Sequence, residues 1–111
     1  KEVSLYSDQY TCPTPISYIS QSCIKTAELI TNQDILSGII LHVVGRPTTP
    51  FEFAQLIKNI FNKSAKLNQT SIAGSGPTNL ILDTKDTQQY FGFTAPSHEE
   101  ELLNLREESG Y

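Results

Sequence analysis

The chain has 111 residues, 38% of them apolar, which suits one domain with a modest core. Its formal net charge of −4 sits at one end: Glu99, Glu100, Glu101, Glu107 and Glu108 oppose only Arg106, while the earlier acids and bases cancel. No basic face is left for a phosphate backbone, so nucleic acid is not an expected partner, and no apolar run approaches the roughly 18 residues of a membrane span.

Val3-Ser4-Leu5-Tyr6 alternates apolar and polar residues, which predicts a short strand. Ser7 to Pro13 is turn chemistry. Thr14 then reads as a helix N-cap with Pro15 at the first helical position. Ile16, Ile19, Cys23, Ala27 and Ile30 follow at helical spacing and predict one apolar stripe, ended by Thr31-Asn32. Asn32 to Ser37 is a polar connection.

Gly38 to Phe61 is the centre of the chain. Ile39 to Val44 is a nearly unbroken apolar run between Gly38 and Gly45, the pattern of a strand covered on both faces. Thr49-Pro50-Phe51-Glu52 is a capping box with proline at the first helical position. Phe53, Leu56, Ile57, Ile60 and Phe61 make the apolar stripe of the helix it opens. A strand buried on both sides needs a neighbouring sheet and layers above and below, and this chain supplies only part of that material.

Asn62 to Asn79 is polar and small, with a short strand expected around Ser71 to Ala73. A loop this long is often a binding or lid segment. Leu80-Ile81-Leu82 reads as a further short strand, Asp83 as the cap of a helix over Thr84 to Phe91, and Gly92 as its terminator. Ser97-His98-Glu99-Glu100 repeats the capping-box pattern, and Leu102, Leu103 and Leu105 belong to a last helix.

Cys12 and Cys23, the only cysteines, predict neither a disulfide framework nor a zinc site. A reducing, cytoplasmic compartment is the simpler expectation. The chain lacks methionine and opens almost inside a strand, which reads as a segment of a longer polypeptide. Asn62-Lys63-Ser64 and Asn68-Gln69-Thr70 fit the glycosylation sequon, a pattern with little weight where no secretory signal is visible.

Candidate chemistry is sparse. Asp8-Gln9-Tyr10 precedes a helix N-terminus, where free amides attract anions; an ordinary turn satisfied by Asp8 and Thr14 is the plainer reading. Arg46 follows the carboxyl end of the central strand, where ligands of α/β sheets gather, and a solvated loop arginine is as good a reading. His42 is expected in the core, bonded to backbone, and His98 at a solvated helix start. Gly74-Ser75-Gly76-Pro77 lacks phosphate-loop spacing, and Pro77 removes an amide such a loop would use. No GxSxG elbow anchors a hydrolase triad.

Three segments in order resemble the C-terminal part of the dTDP-4-dehydrorhamnose reductase family, extended short-chain dehydrogenases that act on nucleotide sugars. Asp8-Gln9-Tyr10-Thr11-Cys12-Pro13-Thr14 is similar to the family's DQxGxPT. Gly38-Ile39-Ile40-Leu41-His42-Val43-Val44-Gly45, then Phe51-Glu52-Phe53-Ala54, resembles its strand and W/Y-E-F-A helix. Gly76-Pro77-Thr78-Asn79-Leu80-Ile81-Leu82-Asp83-Thr84, ending at Phe91-Gly92-Phe93, resembles its RPxNSxLD segment. There are departures. Tyr10 and Thr11 fall where the family often has glycine, Ser17 and Tyr18 where it usually has acids, and Gly76 where it has arginine.

The resemblance implies an α/β fold: the C-terminal portion of a Rossmann-type extended short-chain dehydrogenase, with short strands and about four helices. Residues 1–111 would be its substrate-binding region. The glycine-rich loop and Tyr-x-x-x-Lys pair of its N-terminal Rossmann domain do not occur here. The implied reaction is hydride transfer from NADPH or NADH to a dTDP-4-keto-6-deoxy sugar, with NADP or NAD bound by that Rossmann domain. The implied partners are the nucleotide sugar, the Rossmann domain itself and a second copy in a homodimer, without membrane or nucleic acid. Asp8, Gln9, Pro13, Thr14, Arg46 and Asn79 would line the cleft, with no catalytic residue and no metal ligand in this chain. Two alternatives stay open: a non-catalytic regulatory subunit on this scaffold, like the beta subunit of methionine adenosyltransferase, and a truncated remnant.

Overall fold

The elements run β1 (Glu2–Tyr6), α1 (Ile16–Thr31), α2 (Pro50–Ile60), β2 (Lys66–Thr70), α3 (Lys85–Phe91) and α4 (His98–Ser109) in the computed structural model, which describes residues 2–32, 38–72, 74 and 76–110. The architecture is α/β, with four helices and one small parallel sheet among the described residues. β1 and β2 pair in parallel from Glu2↔Lys66 to Tyr6↔Thr70, and Ser7 N–H extends the ladder to the Thr70 carbonyl at 3.1 Å. A parallel pair needs a long crossover, which here carries α1 and α2. The second strand is Lys66–Thr70, not the expected Ser71 to Ala73. The reason is local: the Asp8 carboxylate takes the Ile72 amide at 2.9 Å and the Ser71 hydroxyl at 2.6 Å, which ends the ladder, and Ile72 is buried. Ala73 lies outside the described residues.

Beyond β1 the chain stays extended and ties two distant segments together. Tyr10 bridges to Asn79 on one side, with bonds Tyr10 N→Thr78 O and Leu80 N→Tyr10 O, both 2.8 Å. Thr11 bridges to Thr48 on the other, through two bonds of 2.8 Å. Successive residues of extended backbone point their amides to opposite sides, so residues 78–80, 10–11 and 48 lie side by side. Leu80 to Leu82 forms no further strand, and all three side chains are exposed.

α1 differs from the sequence expectation at its start and in its facing. Pro15, not Thr14, is the N-cap. The Thr14 hydroxyl donates to the Cys12 carbonyl and accepts from the Gly45 amide, each at 3.0 Å, so it joins two loops instead of capping a helix. The buried face of α1 carries Tyr18 and Ser22, packed toward α3. Tyr18 is 1% exposed, with Phe93 edge-on at 6.1 Å and Phe91 stacked on Phe93 at 5.3 Å. The predicted stripe points outward: Ile16 is 82% exposed and Ile30 62%.

α2 is capped by Thr49, whose hydroxyl accepts from the Glu52 amide at 3.2 Å. The reciprocal half of the box is not formed, since Glu52 instead accepts a long bond from Thr48 at 3.5 Å. α2 packs against both strands and α4, with Ile60 and Leu102 buried, and Arg106 donates to the Ile60 carbonyl at 3.0 Å. α3 begins after Thr84, Asp83 accepts from the Lys85 amide at 3.0 Å, and Gly92 ends the helix at φ 76°. α4 opens with Ser97 accepting from Glu100 N–H at 3.2 Å.

The central run does not behave as read from the sequence. Residues 39–44 form no strand, because no described segment lies alongside to take their amides and carbonyls. Ile40 is 83% exposed. His42 is exposed too, not in a core, although its ring is bonded to backbone as expected: Nδ1 donates to the Asp83 carbonyl at 3.1 Å. The buried Thr87 hydroxyl holds the His42 carbonyl at 2.8 Å. The polar connection over 33–37 falls outside the described residues.

The result is a slab of 54 × 40 × 14 Å with a radius of gyration of 16.9 Å, against about 13 Å for a compact domain this long. Its accessible surface is 7499 Å², roughly 1,400 Å² above the size scaling for a 12.3 kDa monomer. Much of what stays uncovered is apolar, on α1 and on residues 39–44.

Candidate functional site

Three stretches converge on one open cleft of about 680 Å³. One wall is the loop from Val44 to Pro47, the second runs from Asn79 to Thr84, and Thr94 and Ala95 close the end. Tyr18 forms part of the floor, and Gln88 reaches in from α3.

The first wall is fixed by a close backbone approach. A β-carbon on Gly45 would lie 1.7 Å from the Pro13 carbonyl oxygen, so only glycine fits against the loop before α1. Arg46 follows, held at both ends. Its Nε donates to the Ala95 carbonyl at 2.8 Å, and the His98 ring donates from Nε2 to the Arg46 carbonyl at 2.7 Å. His98 is therefore half-buried and bonded, with Phe53 edge-on at 5.2 Å, where the sequence had suggested a solvated side chain. The second wall is set by the Tyr10–Asn79 bridge, and Asn79 Oδ1 accepts from Ile81 N–H at 3.0 Å. That leaves the Asn79 amide group as a donor at the cleft. Gln88 spends Nε2 on Thr84 Oγ1 at 3.0 Å and keeps its carbonyl.

The cleft thus offers a guanidinium, amide groups, hydroxyls and apolar surface from Val44, Pro47, Ile81 and Leu82. Burial pushes the Tyr18 phenol above its ordinary pKa, partly countered by the nearby Ser22 hydroxyl. That hydroxyl, itself buried, does not reach hydrogen-bonding geometry with any group. Tyr18 is neutral at ordinary pH and can act there as a hydroxyl, not as a base.

Of the residues singled out from sequence, Arg46 and Asn79 line this cleft. The other four stand behind it. Asp8 holds Ser71 and Ile72, and these two contacts, the hydroxyl first, hold its carboxyl below the usual range. Gln9 Nε2 donates to the Pro77 carbonyl at 3.1 Å, bracing the segment that carries Asn79. Pro13 and Thr14 clasp Gly45 and also border a second cavity of about 560 Å³ between α1 and α4. Sequence reasoning missed Tyr18, Thr84, Gln88 and Thr94. Only Tyr18 left a signal, as the large aromatic four residues before Ser22 on the face opposite the isoleucines.

Among the described residues no cluster of histidine, cysteine or carboxylates could hold a metal ion. Cys12 and Cys23 are unpaired thiols. No helix among these residues is long and apolar enough to cross a membrane. The sequence patterns of a dinucleotide-binding half do not occur in these residues: the GSG at 74–76 is followed directly by Pro77, and no tyrosine is followed four residues later by lysine.

The family described as RmlD substrate binding domain matches residues 1–109. Among solved structures, the chain is similar to dTDP-4-dehydrorhamnose reductase from Bacillus anthracis str. Ames, determined in complex with NADP. The two share 25% identity at a TM-score of 0.72, over 97% of this chain and 38% of that one. The chain therefore spans well under half the length of that reductase. No curated protein sequence matches it.

Proposed function

Because the chain belongs to the RmlD substrate binding domain family, we propose that it is the lobe that holds a nucleotide sugar for reduction, a dTDP-4-keto-6-deoxy sugar in the fullest form of this reading. The observation that carries it is the cleft between the Val44–Pro47 loop and Asn79–Thr84, with a cation, amides and hydroxyls over an apolar floor. Such a mixture suits a ligand with a charged group, several hydroxyls and a flat ring. The role of these residues is to bind and orient. Arg46 and Asn79 face the ligand, while Asp8, Gln9, Pro13 and Thr14 hold the walls at their spacing.

The hydride chemistry belongs to a reduced nicotinamide, NADPH or NADH, whose glycine-rich loop and Tyr-x-x-x-Lys pair are not among these residues. We place it on a separate dinucleotide-binding half. Residues 39–44 and the outward stripe of α1 are the surfaces that this half would cover, the first by strand pairing and the second by packing.

The test is turnover by the protein joined to its cofactor half. Consumption of reduced nicotinamide with a dTDP-4-keto-6-deoxyhexose is the expected result. Tight cofactor binding without turnover across a panel of keto nucleotide sugars would contradict it and favour a regulatory subunit on the same scaffold.

A further inference from the structure

Among the described residues that line the cleft, Arg46 is the only cation. Its Nε donates to the Ala95 carbonyl, which orients the guanidinium, and its backbone carbonyl accepts from His98, which fixes the loop; among the described residues neither terminal nitrogen has a hydrogen-bond partner. Among the described residues no carboxylate pairs with it, and the Lys66–Glu2 ion pair lies on the distant sheet. Asp83, the carboxylate at the same cleft, is turned to the Lys85 amide.

Position 76 makes this arrangement informative. There the chain has glycine, exposed and ahead of the wall that carries Asn79; that wall brings no cation, and its one charged side chain is the Asp83 carboxylate. The opposite wall brings Arg46. Residues 79 and 48 flank residues 10–11 on either side, and two strand spacings of about 4.8 Å put the walls roughly 10 Å apart. An extended arginine side chain crosses most of that gap, and its planar fork matches a phosphate oxygen pair.

We infer that Arg46 binds the diphosphate of the ligand, supplying from the Val44–Pro47 loop the positive charge that the wall at Gly76 lacks. The inference rests on the reading of the cleft as a nucleotide-sugar site. Ala95 is a positioning residue in it, through the carbonyl that orients the guanidinium.

Calorimetric titration of the purified protein with dTDP, inorganic pyrophosphate and thymidine tests it, alongside Arg46→Gln and Arg46→Lys. The expected result is that Arg46→Gln weakens dTDP and pyrophosphate by roughly 10- to 100-fold and leaves thymidine unchanged. Arg46→Lys should fall between, since lysine keeps the charge and loses the fork. Circular dichroism checks that both variants fold. Equal affinity of wild type and Arg46→Gln for dTDP overturns the inference and leaves the sugar-nucleotide reading standing. An equal loss of thymidine, or a collapse of the fold in both variants, also overturns it, because Arg46 then acts through Ala95 as a structural tie. A wild-type protein that binds neither dTDP nor pyrophosphate overturns both the inference and the reading beneath it.

Discussion

Replacing Gly45 by alanine should be far more damaging than a single methyl group implies. The new carbon would meet the Pro13 carbonyl oxygen at 1.7 Å, the carbonyl carbon at 2.8 Å and Thr14 Cα at 3.2 Å. All three are backbone atoms, so no rotamer change relieves the overlap, and the two loops must separate. Separation breaks the Gly45 N→Thr14 Oγ1 bond at 3.0 Å and strains the paired bonds between Thr11 and Thr48. Three hydrogen bonds at about 1 kcal/mol each give a loss of about 3 kcal/mol. For a chain of this length that lowers the melting temperature by about 12 °C. The wall carrying Arg46 moves with Gly45, so dTDP binding should weaken as well. Gly92→Ala is the control. Gly92 has φ +76° and open space around it, so only left-handed backbone strain applies, about 1 kcal/mol. Thermal melts of both variants decide the matter. A Gly45→Ala protein within about 0.5 kcal/mol of wild type would refute the close-approach reasoning.

Two further perturbations bear on the rest of the account. Asp8 has a depressed carboxyl pKa, so its contribution to stability is present above the unfolded value of about 3.9 and is lost as pH falls through the folded value. Asp8→Asn should therefore flatten the acid side of the stability curve, and an unchanged curve in melts across that range would count against the Ser71 and Ile72 contacts. Ile40→Lys should leave the melt of this chain within about 0.5 kcal/mol, since the side chain is already in water, yet abolish nicotinamide turnover once the cofactor half is joined. Full turnover by that variant would show that residues 39–44 are not covered by the second half.

The helix boundaries were legible in the sequence because local chemistry sets them. The hydroxyl oxygens of Thr49 and Ser97 accept from amides three residues ahead, and Gly92 takes the left-handed angle that ends α3. Thr14 was misread for the same reason that caps are usually readable: its hydroxyl has a local use, but a nonlocal partner, the Gly45 amide, takes it. The apolar stripe of α1 reads as a helix face to be buried, and the run at 39–44 as a strand whose covering layers this chain supplies only in part. Within this chain Ile16, Ile30, Ile39 and Ile40 are exposed, while Tyr18 and Ser22 face inward. Hydrophobic period reports which face seeks cover, and not whether the cover lies in the same polypeptide segment. The cleft was legible only at Arg46 and Asn79, which belong to recognisable segments. Gln88 reaches it from α3 and Thr94 from the loop after that helix, which no spacing announces.

The most direct test of the central claim is amide chemical-shift mapping of the protein with a dTDP-linked deoxysugar. The account predicts saturable shifts at Arg46, Asn79, Thr84, Gln88 and Thr94, with little change on the outer face of α1. Shifts confined to that outer face or to the α1–α4 cavity, or no shifts at millimolar ligand, would contradict it.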